Sequence, residues 1–350
     1  MGSDERICLH VIAGCYERTL LGYDLVEFVS QNEFKLKQKF TDNSHIGCVK
    51  VLASNKTHLA SGSTDETIHL YNLATNTDVG SLLQHDGSIT SLQFIQETHL
   101  VSAGSDGLLC IWNTANWDCQ KVLKGHKEAI HAVAVHPSGK LALTVSKDKT
   151  LRTWNLVSGR PAYTTHIKEE ADDVLWSPDG EIYLVVIRNK INIYDITTAT
   201  ITDTVDHPCT IHTVTFVKKR VIAIGGEGPE VFFYDLKKST KEPVSKFTAH
   251  DKRVKSLSCC KDSSSKPDQD ARWLVSVSND GFIKVWEILL KKLSAKPKLL
   301  ASINTTARLT CVTTHITEME SGDEETDTGK RKAKKEAKGD GHKKKKKSDP

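Results

Sequence analysis

The chain is short of the features that most often announce chemistry. Its nine cysteines include no C-x-x-C pair and no His/Cys group at zinc-ligand spacing, so neither a redox pair nor a zinc site is indicated. Cys259 and Cys260 are adjacent, which suits neither a disulfide with each other nor a metal site, and the usage reads as that of a reducing compartment. No G-x-x-x-x-G-K-[ST] or G-x-G-x-x-G run is present, and GGEGPE around Gly225 reads as a tight turn between strands. The opening MGSDERICLHVIAG lacks a basic segment followed by a long apolar run, so neither secretion nor a membrane span is indicated. Gly2 and Ser3 loosely match a myristoylation start, but Arg6 stands where that motif needs Ser or Thr. Sustained helical periodicity is missing as well.

What the chain has instead is a repeat. Seven times a short β pattern ends in an aromatic residue, at Tyr23, Tyr71, Trp112, Trp154, Tyr194, Tyr234 and Trp286. In five of the seven an acidic residue stands six positions earlier. Successive steps from Tyr71 are 41, 42, 40, 40 and 52 residues, the last lengthened by a polar insertion around SSSKPDQDAR that reads as a loop within one blade. A period near 40 residues, with β-branched and aromatic alternation between turn residues, marks four-stranded blades stacked around an axis. The expected fold is an all-β propeller of seven blades.

Four units resemble the WD40 family in detail. Each carries a His before the first strand, a Ser or Thr, an Asp four positions on and an aromatic six further. The sets are His45, Ser61, Asp65, Tyr71; His85, Ser102, Asp106, Trp112; His126, Thr144, Asp148, Trp154; and His250, Ser276, Asp280, Trp286. The resemblance implies a hydrogen-bonded structural tetrad in each, with Tyr71 an incomplete substitute for tryptophan. Units four and five depart from it, with Leu184 and Arg188, then Ile224 and Gly228, in the hydroxyl and Asp places. His166 and His207 stand at the expected distances without those partners, so these blades are expected to rest on packing. A recurring His, Ser and Asp also fits a nucleophilic triad, but four copies at fixed blade positions are what a structural role needs, whereas an active site needs one. No catalytic residue, cofactor or metal ligand is expected.

The two ends of the chain read as halves of one blade. VIAGCYERTLLGYDL matches LASGSTDETIHLYNL in spacing, with Glu17 in the Asp place and Tyr23 in the aromatic place, and ARLTCVTTH near Leu309 reads as its missing first strand. Closure by both termini leaves no free sheet edge. Residues 1–316 are expected to form the propeller and 317–350 a tail. TEMESGDEETDTG carries six acidic residues, then KRKAKKEAKGDGHKKKKKSDP carries eleven basic and three acidic ones, and no aromatic or β-branched residue follows Thr328. Such a segment cannot bury enough to fold and is expected to be disordered.

Lys330, Arg331, Lys332, Lys334 and Lys335, then Lys343, Lys344, Lys345, Lys346 and Lys347, match the short basic runs read by import receptors or held by RNA phosphates. A solvated charge run is the plainer alternative. The tail is net +2 of the chain's +4, so the ring is near neutral and nucleic-acid affinity is expected from the tail. Ser321, followed by GDEE, suits an acidophilic kinase.

Beyond the fold, AGCYERTLLGYDL, HPSGKLALTVSKDKTLRTWNLVSGR, SNDGFIKVWEI and SINTTARLTCV resemble stretches of the PAK-interacting protein family, over roughly residues 11 to 315. That resemblance implies a nuclear and nucleolar scaffold in large ribosomal subunit assembly, with pre-60S factors and ribosomal proteins as partners. It also implies inhibition of p21-activated kinases through their regulatory region. A general WD40 peptide or chromatin reader is the alternative.

In WD40 rings the turns bearing the His and the Asp open on one face. The resemblance therefore places Arg253 and Arg308, each one residue before a first strand, and Lys147, Lys149 and Arg188, beside the Asp positions of blades three and four, at the channel mouth. Such a basic arc could hold an acidic peptide or an rRNA phosphate; the alternative is ordinary surface cations. Trp117 and Trp273 lie off the repeat positions and read as edge packing or as interface anchors.

Overall fold

A computed structural model describes residues 5–31, 33–238, 240–261 and 270–316. Seven four-stranded antiparallel sheets form a β-propeller. Their inner strands, Val49–Ser54, Ile89–Ile95, Ile130–Val135, Asp173–Trp176, Ile211–Lys218, Val254–Lys261 and Leu309–Ile316, meet around the axis. Outer strands such as Thr77–Leu82 and Arg160–His166 are largely solvated. Among the described residues the one helix is a single 3-10 turn, Leu290–Lys292.

The apolar alternation of each strand fills the gaps between blades rather than the blades themselves. Seven core clusters occupy the seven blade interfaces. Ala60, Ile68 and Leu70 of blade one, for instance, meet Ile89, Leu92 and Trp112 of blade two. The pairing of the third and fourth strands slips by one residue at the repeat aromatic in six blades, at Tyr23, Tyr71, Trp112, Trp154, Tyr194 and Trp286. A bulge there adds twist and turns the ring toward the neighbouring blade. Trp273, off the repeat positions, is 1% exposed and meets Phe34 edge-on at 6.2 Å, sealing blade six against blade seven. Trp117 is half-buried and packs edge-on against His58 at 5.1 Å.

Blade seven is made from both ends of the chain. Its strand order is Leu309–Ile316, Glu5–Cys15, Leu20–Phe28, Glu33–Asp42. The C-terminal strand is innermost and pairs antiparallel with Glu5–Cys15 from Leu9↔Ile316 to Cys15↔Leu309. Its hydroxyls tie it to both neighbours: Thr313 to Ser54 of blade one at 3.0 Å and Thr314 to Ser258 of blade six at 2.8 Å. The insertion expected in blade six falls between Val254–Lys261 and Ala271–Ser278. Ala271 and Arg272 belong to the strand rather than to the loop, and 262–269 lie outside the described residues. The tail and its lysine blocks, with Ser321, also lie outside them.

Candidate functional site

The four sets of His, hydroxyl, Asp and aromatic residues meet in space, each spanning three strands. In blade three the Trp154 indole N–H donates to Thr144 Oγ1 at 2.8 Å, and that oxygen lies 2.7 Å from His126 Nε2. Nδ1 of the same ring lies 2.9 Å from Asp148. An ionised carboxylate can only accept, so Nδ1 carries the proton and Nε2 accepts from the hydroxyl. Blades two and six repeat the arrangement, through Trp112, Ser102, His85 and Asp106 and through Trp286, Ser276, His250 and Asp280, at 2.8 to 3.0 Å. The Asp also accepts from the turn before the inner strand, as from the Lys127 amide at 3.0 Å. One side chain thereby fixes both turns on that face.

Blade one lacks the indole. His45 keeps its bonds to Asp65 at 3.0 Å and Ser61 at 2.8 Å, but Tyr71 donates to Asp42, on the outer strand of blade seven, at 2.7 Å. Tyr71 thus tethers neighbouring blades. The bonding order is that of a nucleophilic triad, yet Ser61, Ser102, Thr144 and Ser276 are all 0% exposed. In the three tryptophan blades the hydroxyl oxygen is also occupied by the indole, so no substrate could reach it.

Burial sets the electrostatics of these sets. It lowers the pKa of His45, His126 and His250, outweighing the pull of their carboxylates. Burial alone would raise Asp65 and Asp148. Hydrogen bonds from Thr67 and Thr150 and from turn amides outweigh it and hold both carboxyls far below the usual range.

Blades four, five and seven solve the same problem differently. The place of the tetrad His in blade four is filled by buried Ile167, four residues before Ala171, and His166 is exposed one position away. The sequence expectation for His166 is therefore corrected. Ile167 packs on Tyr183, Val185 and Tyr194, so an apolar side chain serves where no hydroxyl or Asp exists to pair with an imidazole. His207 does occupy its place in blade five. Its Nδ1 donates to the Cys209 carbonyl at 2.8 Å and its ring stands edge-on to Phe232. In blade seven Glu17 takes the Asp role, accepting from the Arg308 amide at 3.1 Å and its Nε at 2.8 Å.

The face carrying these turns surrounds the central channel. The residue after the first buried position of each inner strand lines it: Lys50, Thr90, His131, Asp172, His212, Lys255 and Thr310. Charge is segregated around this ring, with Asp172 and Asp173 on blade four and Lys50 and Lys255 on blades one and six. Burial, with Asp172 adding to it, pushes the Asp173 carboxyl up to about 7.

Between blades six, seven and one, a cavity of about 570 Å³ opens beside the channel. Arg253, Arg308, Lys50 and Lys255 line it, with Tyr16, Thr64 and Asn279. Arg308 Cζ lies over the Tyr16 ring, 4.2 Å from its centroid, and the side chain is paired to Glu17. Arg253 pairs with Glu227 at 3.5 Å, and the Asn279 amide oxygen, turned toward it, accepts from its Nε and Nη2 at 2.8 and 2.9 Å. The structure thus brings Arg253 and Arg308 together. Lys147, Lys149 and Arg188 are exposed on blades three and four and line neither this cavity nor the channel. Arg188 contributes its backbone N–H to Asp172 at 2.6 Å. Lys50 and Lys255 escaped the sequence reading although a signal existed: each directly follows the valine that begins its inner strand. Among the described residues no group of three or more His, Cys, Asp or Glu is placed to hold a metal ion.

Residues 34–72, 76–113, 117–155 and 241–287 match the family model described as WD domain, G-beta repeat. Each segment ends at or just after the aromatic of one of the four full sets. A p21-activated protein kinase-interacting protein 1-like protein of Danio rerio is 43% identical over 305 residues, covering 87% of this chain and 80% of the relative. Its Xenopus laevis counterpart is 41% identical over 304 residues, covering 87% and 81%. Protein MAK11 of Saccharomyces cerevisiae is 26% identical over 332 residues, covering 81% and 78%. On this similarity, which covers far more of the chain than its four regular repeats, the chain belongs to the WD40-repeat family of p21-activated protein kinase-interacting proteins.

Proposed function

We infer that this chain is a non-enzymatic scaffold in nucleolar assembly of the large ribosomal subunit, and that the same ring restrains a p21-activated kinase by holding its regulatory region. Family membership across most of the chain carries the reading, and the vertebrate relatives take their name from the kinase they interact with. The ribosomal arm rests on the family resemblance and on the lysine blocks at 330–335 and 343–347, whose charge suits rRNA phosphates. The buried tetrad hydroxyls fit a ring that offers surface rather than a nucleophile. Affinity purification with and without RNase tests it. Ribosomal proteins and pre-60S factors that persist after RNase support scaffold contacts, and kinase in the eluate supports the second arm. Recovery of histones with neither would favour a chromatin reader instead.

A further inference from the structure

The cavity between blades six, seven and one holds more positive charge than its own structure uses. Arg253 of blade six and Arg308 of blade seven line it with counter-ions in Glu227 and Glu17. Lys50 of blade one and Lys255 of blade six line the same cavity and have no ion pair among the described residues. Burial lowers the pKa of Lys255, Arg253 and Lys50 add to that effect, and Glu227 opposes it. Like charges gathered in a half-enclosed space cost stability unless something of opposite sign enters. Thr64, Asn279 and Thr310 add neutral polar groups at the same cavity.

The geometry points to an anion-binding pocket that takes one acidic side chain, a phosphoserine or a glutamate, from an extended segment of a partner protein. A peptide fits better than an RNA strand. The rim carries Glu17 and Glu227, and Asp172 and Asp173 line the same channel mouth. A polyanion laid across that face would meet all of these carboxylates, whereas a single inserted group can sit against Lys50 and Lys255, the two cations without a paired carboxylate among the described residues. Tyr16, 56% exposed beneath the Arg308 guanidinium, offers a flat surface for the residue next to the inserted one. This inference goes beyond the ribosomal and kinase reading, since it needs only an acidic partner segment and holds whichever assembly supplies it.

The test uses the full chain with its tail lysines replaced by glutamine, so that tail charge cannot mask the pocket. Labelled Gly/Ser peptides carrying a central phosphoserine, a central glutamate pair or neither are titrated by fluorescence anisotropy beside a single-stranded oligouridylate. The anionic peptides are expected to bind and the neutral one not. Lys50→Gln with Lys255→Gln should weaken the anionic peptides by about tenfold or more, while Lys147→Gln with Lys149→Gln leaves them unchanged. Neither lysine side chain makes a hydrogen bond or ion pair among the described residues, so the first pair should keep the parent's circular dichroism and an unfolding midpoint no lower than the parent's. Anionic-peptide binding that survives the Lys50 and Lys255 changes, or falls equally with Lys147 and Lys149, overturns the pocket. Loss of oligouridylate binding as large as that of the phosphopeptide would show the site takes RNA instead.

Discussion

At the residue scale, the same amino acid carries different weight according to what meets it. His126 joins Thr144 and Asp148, whereas His166 stands in solvent. Replacing His126 with alanine leaves a buried hydroxyl and carboxylate short of partners, which costs on the order of 1–3 kcal/mol. His166→Ala should leave the urea midpoint within error of the parent. Equal losses in the two variants would contradict the tetrad's energetic role. Asp173 supplies a second residue-scale test, this time with pH. Its carboxyl is raised to about 7 in the folded chain against about 3.9 unfolded. The unfolded carboxyl ionises first, so stability from this site is complete below about pH 4 and is lost as pH rises through about 7. Asp173→Asn should therefore raise the melting temperature at pH 8 and change it little at pH 4. A variant equally stabilised at both would show that the effect is not titration of this group.

At the scale of elements, the join between the termini decides whether the ring closes. The inner strand Leu309–Ile316 has Glu5–Cys15 as its one sheet partner. Deleting residues 1–28 removes the two middle strands of blade seven and exposes both the inner and the outer one. Size-exclusion chromatography is expected to show aggregate, since unpaired strand edges template association; a monodisperse, cooperatively unfolding deletion would refute closure by this strand. Gly14 tests the same join more finely. A Cβ there would lie 2.7 Å from both Cys311 Sγ and Val49 Cγ1, so Gly14→Ala wedges blade seven against blade one and should cost about 1–3 kcal/mol by overpacking. Denaturant midpoints give that value directly.

For the molecule as a whole, charge is divided between a ring that is net +2 and a lysine-rich end that is also net +2 but far denser. On the proposed function, nucleolar retention depends on the dense end and partner choice on the ring. Replacing the lysines of 330–335 and 343–347 with glutamine should weaken nucleolar accumulation and flatten the salt dependence of pre-ribosome association, because fewer counterions are released on binding RNA. The ring's melting temperature should not change. Unaltered accumulation with the parent's salt slope would remove the tail from the proposal.

The repeat was legible in the sequence because a blade demands the same few residues at the same offsets each time: an aromatic at the bulge, an Asp six before it, a His ahead of the inner strand. The terminal join was legible for the same reason, since VIAGCYERTLLGYDL keeps that register with Glu17 in place of Asp. Where a blade abandoned the pattern, spacing alone misled. His166 looked like a tetrad residue, and only packing revealed that Ile167 faces the core of blade four. The pocket was hidden for a different reason. Lys50, Arg253, Lys255 and Arg308 lie as much as 258 residues apart, and each by itself is an ordinary surface cation. Local periodicity determines strands, turns and blades because it acts over a few residues. Which charges share a cavity is decided by ring closure, which brings the two ends of the chain together.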